Sequence, residues 1–139
     1  MEITKVGFAL ALAGVLSLGA AFSLDVQAAE YKLKVETKSL YEGALTGVDG
    51  KTVIIKHFTL PPGFVGGKHF HPGDVFVYVL EGAITVETEK GTATVRAGEL
   101  YPEVPRLVMR GKNASTSVPA KFVVFQVGDT GKPMMVKAK

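Results

Sequence analysis

The sequence has 139 residues, 47% hydrophobic and 21% charged, with a formal net charge of +3 and no cysteine. That length fits one domain. The lack of cysteine excludes disulfides and thiol catalysis, and basic residues that are scattered rather than striped with aromatics argue against a nucleic-acid partner.

The first element is an apolar leader. Lys5 precedes an apolar stretch over residues 6–24, and Val26-Gln27-Ala28 fits the cleavage pattern of a signal peptidase. This is the layout of a secretory signal peptide over residues 1–28, which predicts export to the periplasm or the extracellular medium. Left uncut, the same stretch is just long enough to anchor the chain in a bilayer, the one membrane role the sequence allows. Cleavage removes Glu2, Lys5 and Asp25 and leaves residues 29–139, with 15 basic and 11 acidic side chains. A chain of that size without disulfides must bury its own core or share one with a partner.

Strand patterns follow. Residues 31–37 alternate, and 51–60 (KTVIIKHFTL) are rich in β-branched and aromatic side chains. Further runs cover 74–80 (DVFVYVL), 83–89 (AITVETE), 92–96, 107–110 and 121–127 (KFVVFQV). Glycine- and proline-bearing turns separate them, at Asp49-Gly50, Pro61-Pro62-Gly63, Pro72-Gly73, Gly82, Gly91 and Gly98. No apolar helical period longer than about two turns occurs after residue 30. Short strands at this spacing predict an all-β sandwich or barrel. The tail after Gly128 reads as a short surface or partner-binding extension.

Within this pattern His69 and His71 stand one residue apart. On an extended chain that spacing puts both imidazoles on one face. Two neutral imidazoles are half of a site for Fe, Mn, Ni, Cu or Zn. Their surroundings resemble the first motif of the cupin family: Gly63, five residues, His69-x-His71, and Gly82 downstream. Gly98-Glu99 resembles the start of the second motif, and the likeness runs from about residue 53 to 132. The resemblance implies a double-stranded β-helix, a jelly-roll barrel over residues 29–139, holding metal or a small molecule inside. It implies a ligand set of three histidines and a glutamate, and, with the size argument, a homodimer paired through its sheets.

The ligand set is incomplete. The family's glutamate position holds Val75. An ungapped second motif keeps Gly98 and Asn113 but puts Met109 at the third histidine, and anchoring on Pro105 puts Arg110 there instead. Alternation sets Asp74, Phe76 and Tyr78 opposite Val75, Val77 and Val79, so Asp74 reaches the metal side only through a bulge. Replacement ligands are sought in His57, Asp74, Glu103 and, for copper, Met109. Arg106 or Arg110 beside an apolar cavity could pair with a carboxylate. No Gly-x-Ser-x-Gly supports a serine nucleophile. The leading expectation is an exported cupin that binds a small molecule in an apolar barrel cavity, or a metal at His69 and His71, without turnover. The alternatives are a metal-dependent cupin dioxygenase or isomerase and a structural or protein-interaction module.

Overall fold

The computed structural model describes residues 33–139, so the signal peptide expected over 1–28 lies outside the described residues. Ten strands follow in chain order: β1 (Glu36–Ala44), β2 (Lys51–Leu60), β3 (His69–Phe70), β4 (Asp74–Glu81), β5 (Ala83–Thr88), β6 (Gly91–Arg96), β7 (Leu100–Glu103), β8 (Met109–Asn113), β9 (Ala120–Asp129) and β10 (Val136–Lys137). They form two five-stranded antiparallel sheets, in the orders β1-β2-β9-β4-β7 and β10-β3-β8-β5-β6. Among the described residues no helix occurs. The all-β architecture expected from the strand pattern is observed, and the two antiparallel sheets fit the jelly-roll barrel that the resemblance implies.

Alternation explains the facing of each long strand. In β4, Val75, Val77 and Val79 are buried while Asp74, Phe76, Tyr78 and Leu80 are exposed. In β9, Phe122, Val124 and Gln126 point inward and Phe125 outward. The inward valines meet Ile84 and Val86 of β5, Val95 of β6 and Met109 of β8 in one apolar core. Burying each such side chain contributes about 1.5–3 kcal/mol. Phe58 and Phe122 stack across the β2–β9 ladder, with ring centroids 5.3 Å apart. On the outer face, Phe76 and Phe125 lie with ring centroids 6.4 Å apart and remain partly open to solvent.

Two glycines hold the turns that frame the site. After His71, a Cβ on Gly73 would lie 2.3 Å from the Val127 carbonyl oxygen, so only glycine lets this turn sit against β9. Gly82 has φ 70°, and a Cβ there would stand 2.7 Å from the Pro119 oxygen. Asn113 fastens the loops at the other end. Its buried amide donates to the carbonyls of Pro61 and Val118, and its oxygen accepts from the Ser115 N–H.

The short elements depart from expectation. Strand β1 begins at Glu36 and runs seven residues past the predicted end at 37. Strand β8 begins at Met109 rather than 107. The tail is not a free extension: Val136 and Lys137 pair with Phe70 and His69, and the Ala138 N–H donates to the Lys68 carbonyl.

Candidate functional site

Between the sheets lies a cavity of about 770 Å³. Phe58, Phe64, Val77, Ile84, Val86, Phe122 and Val124 give it apolar walls, and His69, His71 and Glu103 place polar groups in it. Its volume is within the range of small-molecule sites. Met134, Met135, Lys137 and Ala138 of the tail also line it, so the C-terminal segment completes the wall.

His71 is buried, and its Nδ1 lies 2.7 Å from the Met134 carbonyl oxygen. A carbonyl only accepts, so Nδ1 carries the proton and Nε2 keeps its lone pair. Its backbone is held too, because Arg106 N–H donates to the His71 carbonyl at 2.8 Å. His69 is fixed in the same tautomer, with Nδ1–H donating to the Gly67 carbonyl at 3.0 Å. The two rings meet edge to face, with centroids 5.1 Å apart.

Glu103 approaches from β7. Its Oε2 is buried and lies 3.2 Å from His71 Nε2, with no hydrogen-bond partner when the carboxylate is ionised. The tautomer accounts for this: an unprotonated Nε2 has nothing to donate, and a proton on Oε2 makes the contact a hydrogen bond. Burial favours that proton, pushing the Glu103 carboxyl up from 4.5 to about 7. Burial also pulls His71 below its ordinary value, reinforced by His69 and opposed by the Met134 carbonyl and Gln126. The favoured state is a neutral carboxyl against a neutral imidazole.

The sheet register shows how Glu103 comes to be there. Val75 pairs with Glu103 on one side and with Gln126 on the other. Cross-strand partners share a face. A polar side chain therefore flanks the empty glutamate position on each side. Gln126 is 1% exposed, and its Oε1 has no partner among the described residues. Gln126 is absent from the expected site, although its alternation with Phe122 and Val124 in KFVVFQV was the available signal.

The other candidates fall away from the cavity. His57 pairs with Lys38 and Val123, on the face opposite Lys56 and Phe58, and so points out of the barrel. Asp74 is exposed, and no bulge turns it inward. Arg110 pairs with Glu87 on the outer face of its sheet, and Arg106 borders a separate surface hollow with Lys51, Asp74 and Asp129. Neither arginine lines the large cavity. Met109 is buried in the core, directly across from His69.

The two histidines expected to bind metal both line the cavity. Among the described residues no group of three or more His, Cys, Asp or Glu side chains converges to hold an ion. The donor set thus falls short of the three protein ligands of a catalytic zinc centre.

The cupin-domain family model matches residues 56–126, from β2 to the inward glutamine of β9. No curated relative matches the sequence. Among solved structures, a cupin-like protein of Thermotoga maritima is 17% identical, with a TM-score of 0.60 and 77% of each chain covered. The DMSP lyase DddQ of Ruegeria pomeroyi is 18% identical, with a TM-score of 0.59, over 75% of this chain and 51% of the lyase. KdgF of a Halomonas species is 19% identical, with a TM-score of 0.53, over 70% of this chain and 84% of its own. At such identities these likenesses concern the fold. With more than half of the chain matched by the family model and the paired sheets enclosing a lined cavity, this protein belongs to the cupin family.

Proposed function

We propose that this cupin binds a small organic molecule inside its barrel, outside the cytoplasm. The observation that carries the reading is the cavity of about 770 Å³, apolar along its walls, with a buried carboxyl–imidazole pair 3.2 Å apart set into it. The apolar part of a ligand packs against Phe58, Phe122, Val77 and Val86. Its hydroxyl or carbonyl group meets Glu103 and His71 by inserting into their mutual contact, taking up the proton of one or the lone pair of the other. Export rests on the leader at residues 1–28, and sequencing the N-terminus of the mature protein checks it. Pairing of two copies is supported by the open apolar outer face around Phe76, Tyr78, Leu80 and Phe125. Light scattering on the purified protein reads that mass directly.

The chain has three histidines, which gives a clean test. Titration with 1-octanol shifts the ring signals of His69 and His71 in NMR and leaves those of His57 in place. A titration that moves none of them, or moves His57 as much as the others, sinks the reading.

A second reading has its own support. The Nδ1 bonds leave the Nε2 lone pairs of both rings facing away from the backbone, as imidazole ligation of a divalent ion requires, and an ion at His71 would displace the Glu103 proton from its Nε2. In a metal-dependent enzyme such an ion takes His69 and His71 and fills its remaining positions from solvent or substrate. Elemental analysis of protein purified from its native compartment distinguishes the two. Metal near one per chain, lost in both His69→Ala and His71→Ala, favours the enzyme.

A further inference from the structure

The cavity holds charge as well as apolar surface. Four lysines line it, Lys56, Lys68, Lys112 and Lys137, against one carboxyl group, Glu103. Two of the four are accounted for. Lys112 is paired with Glu87 on the outer face, and Lys68 precedes His69, so alternation turns its side chain away from the histidine's face.

The other two belong to the inner faces. Lys56 lies between Ile54 and Phe58 on the inward side of β2 and pairs with buried Val124. Lys137 pairs with His69, which in turn pairs with Met109, so it shares the inner face of the opposite sheet. Neither forms an ion pair among the described residues. Nor does Glu103 neutralise Lys56. The inward row from Lys56 runs through Val124 and Val77 to Tyr101 on β7, three strand spacings or about 14 Å along the sheet. An unpaired ammonium group over an apolar wall favours a ligand that brings its own negative charge, because a low-dielectric surface strengthens the attraction.

We propose that the cavity selects an amphipathic organic anion, whose apolar body lies along Phe58, Phe122 and Val124 and whose carboxylate is met by Lys56 and Lys137 from the two sheets. This rests on the reading that the barrel binds a small molecule and names the charge class of that molecule. A second polar group on the ligand, remote from the carboxylate, reaches Glu103 and His71.

The test compares octanoate with 1-octanol, which have the same chain length and differ in charge. Binding is followed through the ring signals of His69 and His71 at low ionic strength, with His57 as the internal reference. Octanoate binds several-fold, up to about fivefold, more tightly than the alcohol, the ratio one modest ion pair supplies. The preference shrinks in about 0.5 M salt, where the screening length falls to a few ångströms. Lys56→Met and Lys137→Met keep the side-chain stem and remove the charge. Each lowers the preference, and the double variant brings the two affinities together. Lys137 is exposed, so its variant stays informative even if Lys56→Met folds poorly. Equal affinities in the wild type, or a preference that survives both substitutions, overturns the anion inference and leaves the binding cavity standing. Failure of both probes to move His69 and His71 overturns both.

Discussion

The chain departs from the cupin motifs in each of its two sheets, and the two departures are resolved in opposite ways. In the sheet containing β4, Val75 replaces the family's glutamate, and its two register partners, Glu103 and Gln126, bring polar groups to the same rung. In the sheet containing β8, Met109 replaces the third histidine, and no new polar side chain stands in for it: across from the motif's own His69 and from Thr88, its thioether joins the core cluster with Val86 and Val95. One sheet moved its carboxyl group one strand sideways, while the other replaced a polar position with packing. What stands in for a missing ligand is therefore set by register across the sheet, which spacing along the chain does not reveal.

Restoring the family residue tests this most severely. Val75→Glu places a second carboxyl group beside Glu103, at a position 1% exposed. Two buried acids on one rung cannot both ionise, and the uncompensated burial costs about 4 kcal/mol, read as a lower urea midpoint at neutral pH. The same variant gains more thermal stability than the wild type from added Mn²⁺, Ni²⁺ or Zn²⁺, because His69, His71 and the new carboxylate then supply three ligands. A cost below about 1 kcal/mol would mean that the rung is open to water and that the register account fails.

The packed position is tested by truncation. Met109→Ala opens a hole in the core and costs about 3 kcal/mol in chemical unfolding. It also leaves the His71 ring signals in place, since that ring is held by the Met134 carbonyl and Glu103 and not by Met109. A large change at His71 instead would show that the two sheets are coupled through Met109.

The displaced carboxyl group has a pH signature. Burial raises the folded-state value of Glu103 from 4.5 to about 7. The stability held by its protonated form is complete below pH 4.5 and is lost as pH rises through 7. Glu103→Gln keeps the shape and abolishes the ionisation. Between pH 5 and 8, in chelator-treated buffer, the variant gains on the wild type by up to about 3 kcal/mol. His71 works in the other direction: its value is lowered by burial, so its contribution is complete above pH 6.5 and is lost on acidification. Urea midpoints at unit steps of pH separate the two, and parallel curves for wild type and Glu103→Gln would remove the neutral carboxyl–imidazole pair.

Much of the fold was legible because its long strands carry strong local signals. Alternation in DVFVYVL and the β-branched run KTVIIKHFTL identify β4 and β2 without help from the rest of the chain. The missed strands are those that pairing alone creates. Strands β3 and β10 are two residues each and pair chiefly with one another, and β7 carries Pro102, which is tolerated because β7 lies at a sheet edge. The site divides in the same way. His69 and His71 stand out by spacing, and Glu103 by its charge within the second motif. The inward facing of Gln126 is readable from alternation in KFVVFQV, but its place beside Val75, like the Met134 carbonyl's place against His71, became visible only once β9 lay beside β4 and the tail lay beside β3.

The smallest effect concerns the turn that leads into Met109. The family's second motif runs Gly, five residues, Pro-x-Gly, two residues, His, three residues, Asn; ungapped from Gly98 it puts Arg106 at the inner glycine, and Arg106 has φ 63°, a left-handed conformation that favours glycine. The backbone has thus kept the motif's shape after losing its residue. This supports the ungapped alignment and makes Met109, rather than Arg110, the counterpart of the histidine. Left-handed geometry costs a non-glycine residue about 1–2 kcal/mol, and glycine gives back part of that through its freer unfolded chain. Arg106→Gly therefore raises stability by less than about 1 kcal/mol and leaves the His71 signals unshifted, because the Arg106 N–H that holds the His71 carbonyl is retained. Loss of stability in this variant would mean that the arginine side chain, and not the turn's geometry, fixes the approach to β8.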